Sequence, residues 1–141
     1  MSDAHDVIRR FIEDVYGAGK VELIDELVHE DYAEHTMMEA FPGNREGLKS
    51  FVQVLHGGLS DVDGKVERVL VDNGRVAWRW RMTATHSGDV MGIPASGNHI
   101  EITGNDVGTM RDGKLVERWC EQDMLSLMSQ LGAMGASTSQ T

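Results

Sequence analysis

Residues 65–86 read KVERVLVDNGRVAWRWRMTATH, and the reading of this stretch decides the fold. Two runs rich in β-branched and aromatic residues flank Asn73-Gly74. That dipeptide suits a two-residue hairpin, because both central residues of the favoured turn need positive φ. On the second run Val76, Trp78, Trp80 and Met82 fall on one side of a strand. Ala77, Arg79, Arg81, Thr83 and Thr85 fall on the other. Residues 99–111 and 114–122 repeat the pattern around Asp112-Gly113. The spacing predicts a meander of four antiparallel strands over 65–122.

Upstream, the apolar period lengthens from two to about 3.6. Val7, Ile8, Phe11, Ile12, Val15 and Tyr16 predict a helix over 3–17, capped by Ser2 or Asp3 and stopped at Gly17. Leu23, Ile24, Leu27 and Val28 predict a second helix over 21–31, followed by an irregular stretch to Gly43. Asn44 opens a third helix over 44–57, with Leu48, Phe51, Val52 and Leu55 facing inward and Gly57-Gly58 ending it. A short helix beginning at Met124 follows the last strand. The Gly-, Ala-, Ser- and Thr-rich residues 133–141 read as a flexible tail behind a single domain over 1–132. Helices first and strands afterwards make an α+β domain rather than an alternating α/β one. The helices cover one face of the sheet, and the other is costly to leave in water, so a homodimer is expected.

Composition narrows the function. The 141 residues carry a net charge of −10 with no basic cluster, which argues against a nucleic-acid partner. No run approaches the length of a membrane span, and the N-terminus, MSDAHD, is acidic and unlike a signal peptide, so no membrane partner and a cytoplasmic location are expected. Cys120 is the single cysteine and reads as a buried structural thiol. The six histidines fall in no metal-binding spacing, and no phosphate loop or nucleophile elbow occurs; no metal and no cofactor are expected.

Several motifs in order carry a family resemblance. They are Val76-Ala77-Trp78-Arg79-Trp80, then Thr85-His86-Ser87-Gly88, then Met91 to Gly97. Asp112 to Trp119, Asp123 and the closing Gln130-Leu131-Gly132 continue the series, and His35 with Gly43 to Leu48 fits the front half. In these the chain resembles the SnoaL-like polyketide cyclases, also called ester cyclases. The resemblance implies an NTF2-like cone, with three N-terminal helices packed on a strongly curved antiparallel sheet around one pocket. It implies ring closure of an aromatic polyketide ester by intramolecular aldol condensation without a cofactor, on an apolar or aromatic small molecule. One acidic residue at the end of the last strand serves there as proton acceptor and donor; by position it is Asp123. The sequence departs from the family at Gly108 and Thr109, where larger or basic residues are common.

Each site residue also has a plainer reading. Asp123 before an apolar run is a good helix cap, and a cap can still point into a pocket. Glu121 shares its strand parity and is either a second pocket carboxylate, raising one pKa, or a solvated strand-end charge. Arg79 offers a fork to a substrate oxygen or pairs with Glu101, Glu117 or Glu121. His35 is either a mouth residue that bonds a ligand carbonyl or an ordinary surface histidine. His86 and His99 are strand-end residues with a smaller claim on a ligand. Phe51, Leu55 and Trp119 are expected to line the pocket, and Met37, Met38 and Met91 to supply adaptable surface near its mouth. The rival functions are a carrier that binds an apolar metabolite without converting it, and an epoxide hydrolase or isomerase on the same fold. A hydrolase of that kind wants carboxylate, arginine and carboxylate around a water, of which Arg79 with Asp123 supplies a part.

Overall fold

The computed structural model describes residues 3–132; the expected tail, 133–141, lies outside them. Asp3 caps the first helix, its carboxylate accepting the Asp6 N–H at 2.8 Å. That helix, α1 (Ala4–Arg10), runs directly into wider π-helical turns at Phe11–Gly17. The two together bury Val7, Ile8, Phe11, Ile12, Val15 and Tyr16, the stripe predicted from spacing. The Asn44 side chain accepts the Gly47 N–H at 2.9 Å and starts α3 (Arg45–Gly58). The last helix, α4, spans Met124–Gln130.

The second helix is shorter than its spacing predicts. A 3₁₀ turn at Val21–Leu23 leads into α2 (Ile24–Leu27), and the chain then extends as β1 (Val28–Glu34). Val28, Tyr32 and Glu34 are buried there, and β1 pairs in parallel with the final strand, Val28 opposite Leu115. Leu27-Val28 continues the helical stripe of Leu23-Ile24, but no apolar residue stands at position 31 to carry it on. Long-range pairing and burial decide the conformation of such a segment more than local preference does.

The remaining strands are β2 (Leu59–Asp72), β3 (Arg75–His86), β4 (His99–Arg111) and β5 (Lys114–Gln122). They form a curved, open sheet of order β1-β5-β4-β3-β2, antiparallel except for the β1–β5 pair. The sheet therefore has five strands, one more than the predicted meander. Strand β2 also starts six residues before the predicted Lys65, and its register slips between Ser60 and Asp63 and again between Val66 and Arg68. Such bulges bend a strand and sharpen its twist. Both hairpins turn at the predicted dipeptides, with Asn73 at φ 49°, Gly74 at 79°, Asp112 at 54° and Gly113 at 76°.

One face of the sheet carries Val76, Trp78, Trp80, Ala84 and His86 of β3 inward, with Ile100, Ile102 and Asp106 of β4. His86 is fully buried. Its Nδ1 accepts the Ser96 N–H at 3.2 Å and its Nε2 faces the Ile93 carbonyl at 3.2 Å, so one imidazole fastens the 87–98 connection. Two glycines of β4 admit close neighbours. A Cβ at Gly104 would come 2.4 Å from Trp80 Cζ2, and one at Gly108 would come 2.6 Å from the Glu117 carbonyl oxygen and 2.9 Å from Leu115. The small residue at 108 thus lets the β5 backbone and Leu115 close over β4.

The sheet's other face has a row of directly paired residues, Leu70, Ala77, Val107 and Trp119, one from each of β2 to β5. Leu70 is 61% exposed, Val107 51% and Trp119 42%. Beside this row Glu67 accepts from Arg79 (3.0 Å) and Arg81 (2.9 Å), and Arg81 also pairs with Glu101.

Gly104→Ala is expected to destabilise the fold by about 1–3 kcal/mol, the usual cost of overpacking. It should also shift tryptophan emission as Trp80 is displaced. Unchanged denaturant midpoints and spectra would show that Trp80 does not rest on residue 104.

Candidate functional site

A cavity of about 270 Å³ lies between the inner face of the sheet, the π-helical turns, α3 and α4. Its walls are largely apolar and include Phe51 and Leu55 of α3, as the sequence predicts. Five methionines contribute: Met37, Met38, Met82, Met91 and Met124. Met91 arrives through a tight turn, held by paired backbone hydrogen bonds between Val90 and Ile93.

Polarity is concentrated at one end. Arg118 of β5 lines the cavity with its side chain 7% exposed. Its Nε donates to Glu34 Oε1 at 2.7 Å, its Nη2 to the Tyr16 hydroxyl at 2.8 Å and its Nη1 to Asp106 Oδ2 at 3.5 Å. The guanidinium also lies over the Phe11 and Tyr16 rings, at 5.1 and 5.4 Å from their centroids. Glu34 accepts further hydrogen bonds from the Tyr32 hydroxyl and the Thr36 hydroxyl. Asp106 accepts the Trp80 indole N–H at 3.0 Å. The cluster thus holds one guanidinium between two carboxylates; the other polar side chains are neutral, Tyr16 accepting from Arg118 while Tyr32, Thr36 and Trp80 donate to the carboxylates.

Burial shifts the titrations here. Desolvation lifts the Asp106 carboxyl above the ordinary carboxylate range, against the opposing pull of Arg118 and the Trp80 N–H. Tyr16 and Tyr32 are raised chiefly by burial and stay protonated. Burial likewise pushes the Cys120 thiol up to about 12, which excludes a thiolate nucleophile near neutral pH.

The structure separates the residues singled out in the sequence. Phe51, Leu55 and Glu121 line the cavity. His35, Arg79 and Trp119 do not. The His35 and Trp119 rings stack on each other at 4.3 Å, and His35 Nε2 bonds Glu117 Oε1 at 2.9 Å. Thr109, the second departure from the family pattern, donates to the same Glu117 at 2.7 Å and thereby joins this outer group. His35 holds the Glu117 carboxyl below its ordinary range, with Thr109 assisting. Arg79 pairs with Glu67 on the outer face rather than with Glu101, Glu117 or Glu121. Asp123 caps α4, its Oδ1 accepting the Ser126 N–H at 3.0 Å; it is exposed and does not itself line the cavity, although its neighbours Gln122 and Met124 do.

A single register slip explains the placement of Trp119. Thr109 faces Glu117 and Met110 faces Leu115, so Val116 is an extra residue in β5. Leu115 and Arg118 are therefore the two buried residues of that strand. A tryptophan reads as interior and an arginine as exterior, and β5 reverses both. Tyr16 is hidden in an apolar helical stripe, Glu34 lies in a segment predicted to be irregular, and Asp106 is one of many acids; no local pattern marks them. Among the described residues no three His, Cys, Asp or Glu side chains converge as metal ligands, and no helix is long and apolar enough to cross a membrane.

The SnoaL-like polyketide cyclase family model matches residues 6–131, and the chain belongs to that family. The aklanonic acid methyl ester cyclase DnrD of Streptomyces peucetius is 28% identical over 137 residues, covering 94% of this chain and 92% of that protein. Among solved structures, IdmH of Streptomyces antibioticus is 27% identical with a TM-score of 0.79, over 93% of this chain and 99% of that one. TsrD of Streptomyces laurentii, 24% identical, shares the fold with a TM-score of 0.84 over 94% and 99% of the two chains. These relatives bear out the α+β, NTF2-like cone that the sequence motifs imply.

A carboxyl raised by folding contributes stability that is complete below its unfolded pKa and is lost as pH rises through the folded value. Asp106→Asn cannot titrate at that position. The melting temperature of the wild type relative to this variant is therefore expected to fall as pH rises through and above the ordinary carboxylate range. A difference that stays constant across the range would show an ordinary carboxyl at 106.

Proposed function

We propose that this chain is a cytoplasmic acid–base enzyme that closes a ring in an aromatic polyketide ester, or a related apolar carbonyl compound, by intramolecular aldol condensation without a cofactor. The observation that carries this reading is an apolar cavity with one buried polar end, in a member of a cyclase family. Ligand sites combine apolar walls with a few orienting polar groups in this way. Asp123 is the proposed acid–base group. Its Oδ1 caps α4, leaving Oδ2 to take a proton from carbon next to the substrate carbonyl and return it to the new alkoxide.

The relative DnrD is named for aklanonic acid methyl ester, and that compound is the first substrate to try. Asp123→Asn preserves shape and capping, so turnover is expected to fall by about 10²–10⁴-fold while the melting temperature holds. Full turnover by the variant would remove Asp123 from the chemistry. Tight binding without turnover by the wild type would make the protein a carrier.

One arrangement favours a second reading, hydrolysis of an epoxide. Glu34, Arg118 and Asp106 form the carboxylate–arginine–carboxylate set that such chemistry wants. Oxygen-18 from labelled water enters the product of a hydrolase and is absent from the product of a cyclase.

The exposed row Leu70, Ala77, Val107 and Trp119 supports a homodimer formed through the outer face of the sheet. Sedimentation should show a dimer at micromolar concentration and a monomer for Val107→Glu. A monomeric wild type would overturn the assignment.

A further inference from the structure

Strand β4 outruns one of its neighbours. β3 pairs with it from His99 to Thr109, whereas β5 reaches only as far as Gly104. The β4 edge from His99 to Thr103 therefore has no strand beside it, and the backbone groups that point there need other partners. Helix α4 supplies them at its two ends. At the first, the Asp123 N–H donates to the Thr103 carbonyl at 3.2 Å. At the other, the Gln130 amide meets both backbone groups of Glu101: Oε1 accepts the Glu101 N–H at 2.7 Å, and Nε2 donates to the Glu101 carbonyl at 2.7 Å. A primary amide carries a donor and an acceptor in one plane, so one side chain stands in for a residue of the missing strand. Asn98 Nδ2 donates to the Gln130 carbonyl at 3.0 Å, tying the same point to the connection that carries Met91. Between these ends, among the described residues, α4 makes no hydrogen bond outside itself.

We infer that α4 is a lid on the ligand cavity, hinged at Asp123 and latched by Gln130. Met124 and Leu127 of this helix line the cavity. Glu121 and Gln122, exposed lining residues at the end of β5, place the mouth next to the hinge. The hinge end is fixed, because the chain enters α4 directly from a paired strand. The latch end is held through side chains, and a short element held by a few exposed hydrogen bonds opens locally without unfolding the domain. Leu127 and Leu131 are buried, so the hydrophobic effect keeps the lid shut and makes its opening a rare event. The Gln130 amide then fixes where the closed helix sits along β4. The inference concerns entry to the cavity and does not depend on the reaction carried out there.

The test uses the full chain and N-phenyl-1-naphthylamine, an uncharged apolar dye that fluoresces when buried. On rapid mixing with the wild type, the observed binding rate is expected to level off as dye concentration rises, at the rate of lid opening. A rate that climbs in proportion to dye concentration throughout overturns the lid. Gln130→Met keeps the length of the side chain and removes both amide bonds to Glu101. It is expected to raise the association and dissociation rates together, each about tenfold, with Kd held within about twofold. A fixed wall loosened by the substitution raises the dissociation rate alone, and a mere surface contact changes neither; both results overturn the latch. Hydrogen exchange at the Glu101 amide reads the latch without a ligand. It should quicken about tenfold in Gln130→Met while the amides paired between β3 and β4 keep their rates. Where Gln130→Met fails to fold, the wild-type concentration dependence decides. A wild type that does not bind the dye overturns the lid together with the cavity-based reading. Gated binding by a protein that leaves aklanonic acid methyl ester unconverted keeps the lid and rejects that ester as the substrate.

Discussion

The buried charge of Arg118 is the constraint on which the arrangement of this molecule depends. A guanidinium almost wholly removed from water is tolerated only where its charge is balanced and its N–H groups are bonded. The requirement is met from three parts of the chain: the π-helical turns, which supply the Tyr16 hydroxyl and the flat faces of Phe11 and Tyr16, Glu34 at the end of β1, and Asp106 on β4. The parallel pairing of β1 with β5 brings Glu34 beside Arg118, Glu34 and Arg118 being register partners. Loss of either carboxylate would leave an under-compensated charge in the interior, the situation that makes breaking a buried pair so destabilising. The polar end of the cavity is therefore a fixed point, and the helices and strands meet around it.

Much of the fold was legible because its signals are local. Asn73-Gly74 and Asp112-Gly113 dictate their turns through backbone conformation alone, and Asp3 and Asn44 start helices with side chains that reach only three residues ahead. The strand β1 was not legible, because Val28 to Glu34 is extended for the sake of β5, more than eighty residues away in the chain. The early start of β2 was hidden in a similar way. Asp63 and Gly64 have poor strand character, and it is pairing with Thr83 and Met82 of β3, resumed after the slip that follows Ser60, that holds them.

The site was legible in its apolar part and hidden in its polar part. Phe51 and Leu55 could be assigned to the pocket because a helix stripe faces one way. Arg118 and Trp119 could not be assigned by composition, since the bulge at Val116 reverses the faces of everything after it. Polar clusters in a core carry no periodic signature: Tyr16, Glu34, Asp106 and Arg118 are scattered over more than a hundred positions and meet only in three dimensions. The family motifs fared differently. They identified the family without distinguishing inner from outer residues, so His35 and Trp119, stacked on each other away from the cavity, appeared as pocket candidates.

The methionine-rich wall has a consequence for how selection of a ligand is divided. Each thioether side chain turns about three single bonds with little preference among their settings, so Met37, Met38, Met82, Met91 and Met124 give the cavity many outlines of nearly equal energy. Contour is then a weak discriminator, since a ring more or less can be met by rotating side chains rather than by moving strands. Discrimination falls instead to the rigid polar end, where no rotation is free. In a lock of this design the keyway is soft and the tumblers are few, and relatives could change their preferred molecule by altering two or three buried polar side chains while leaving the sheet untouched.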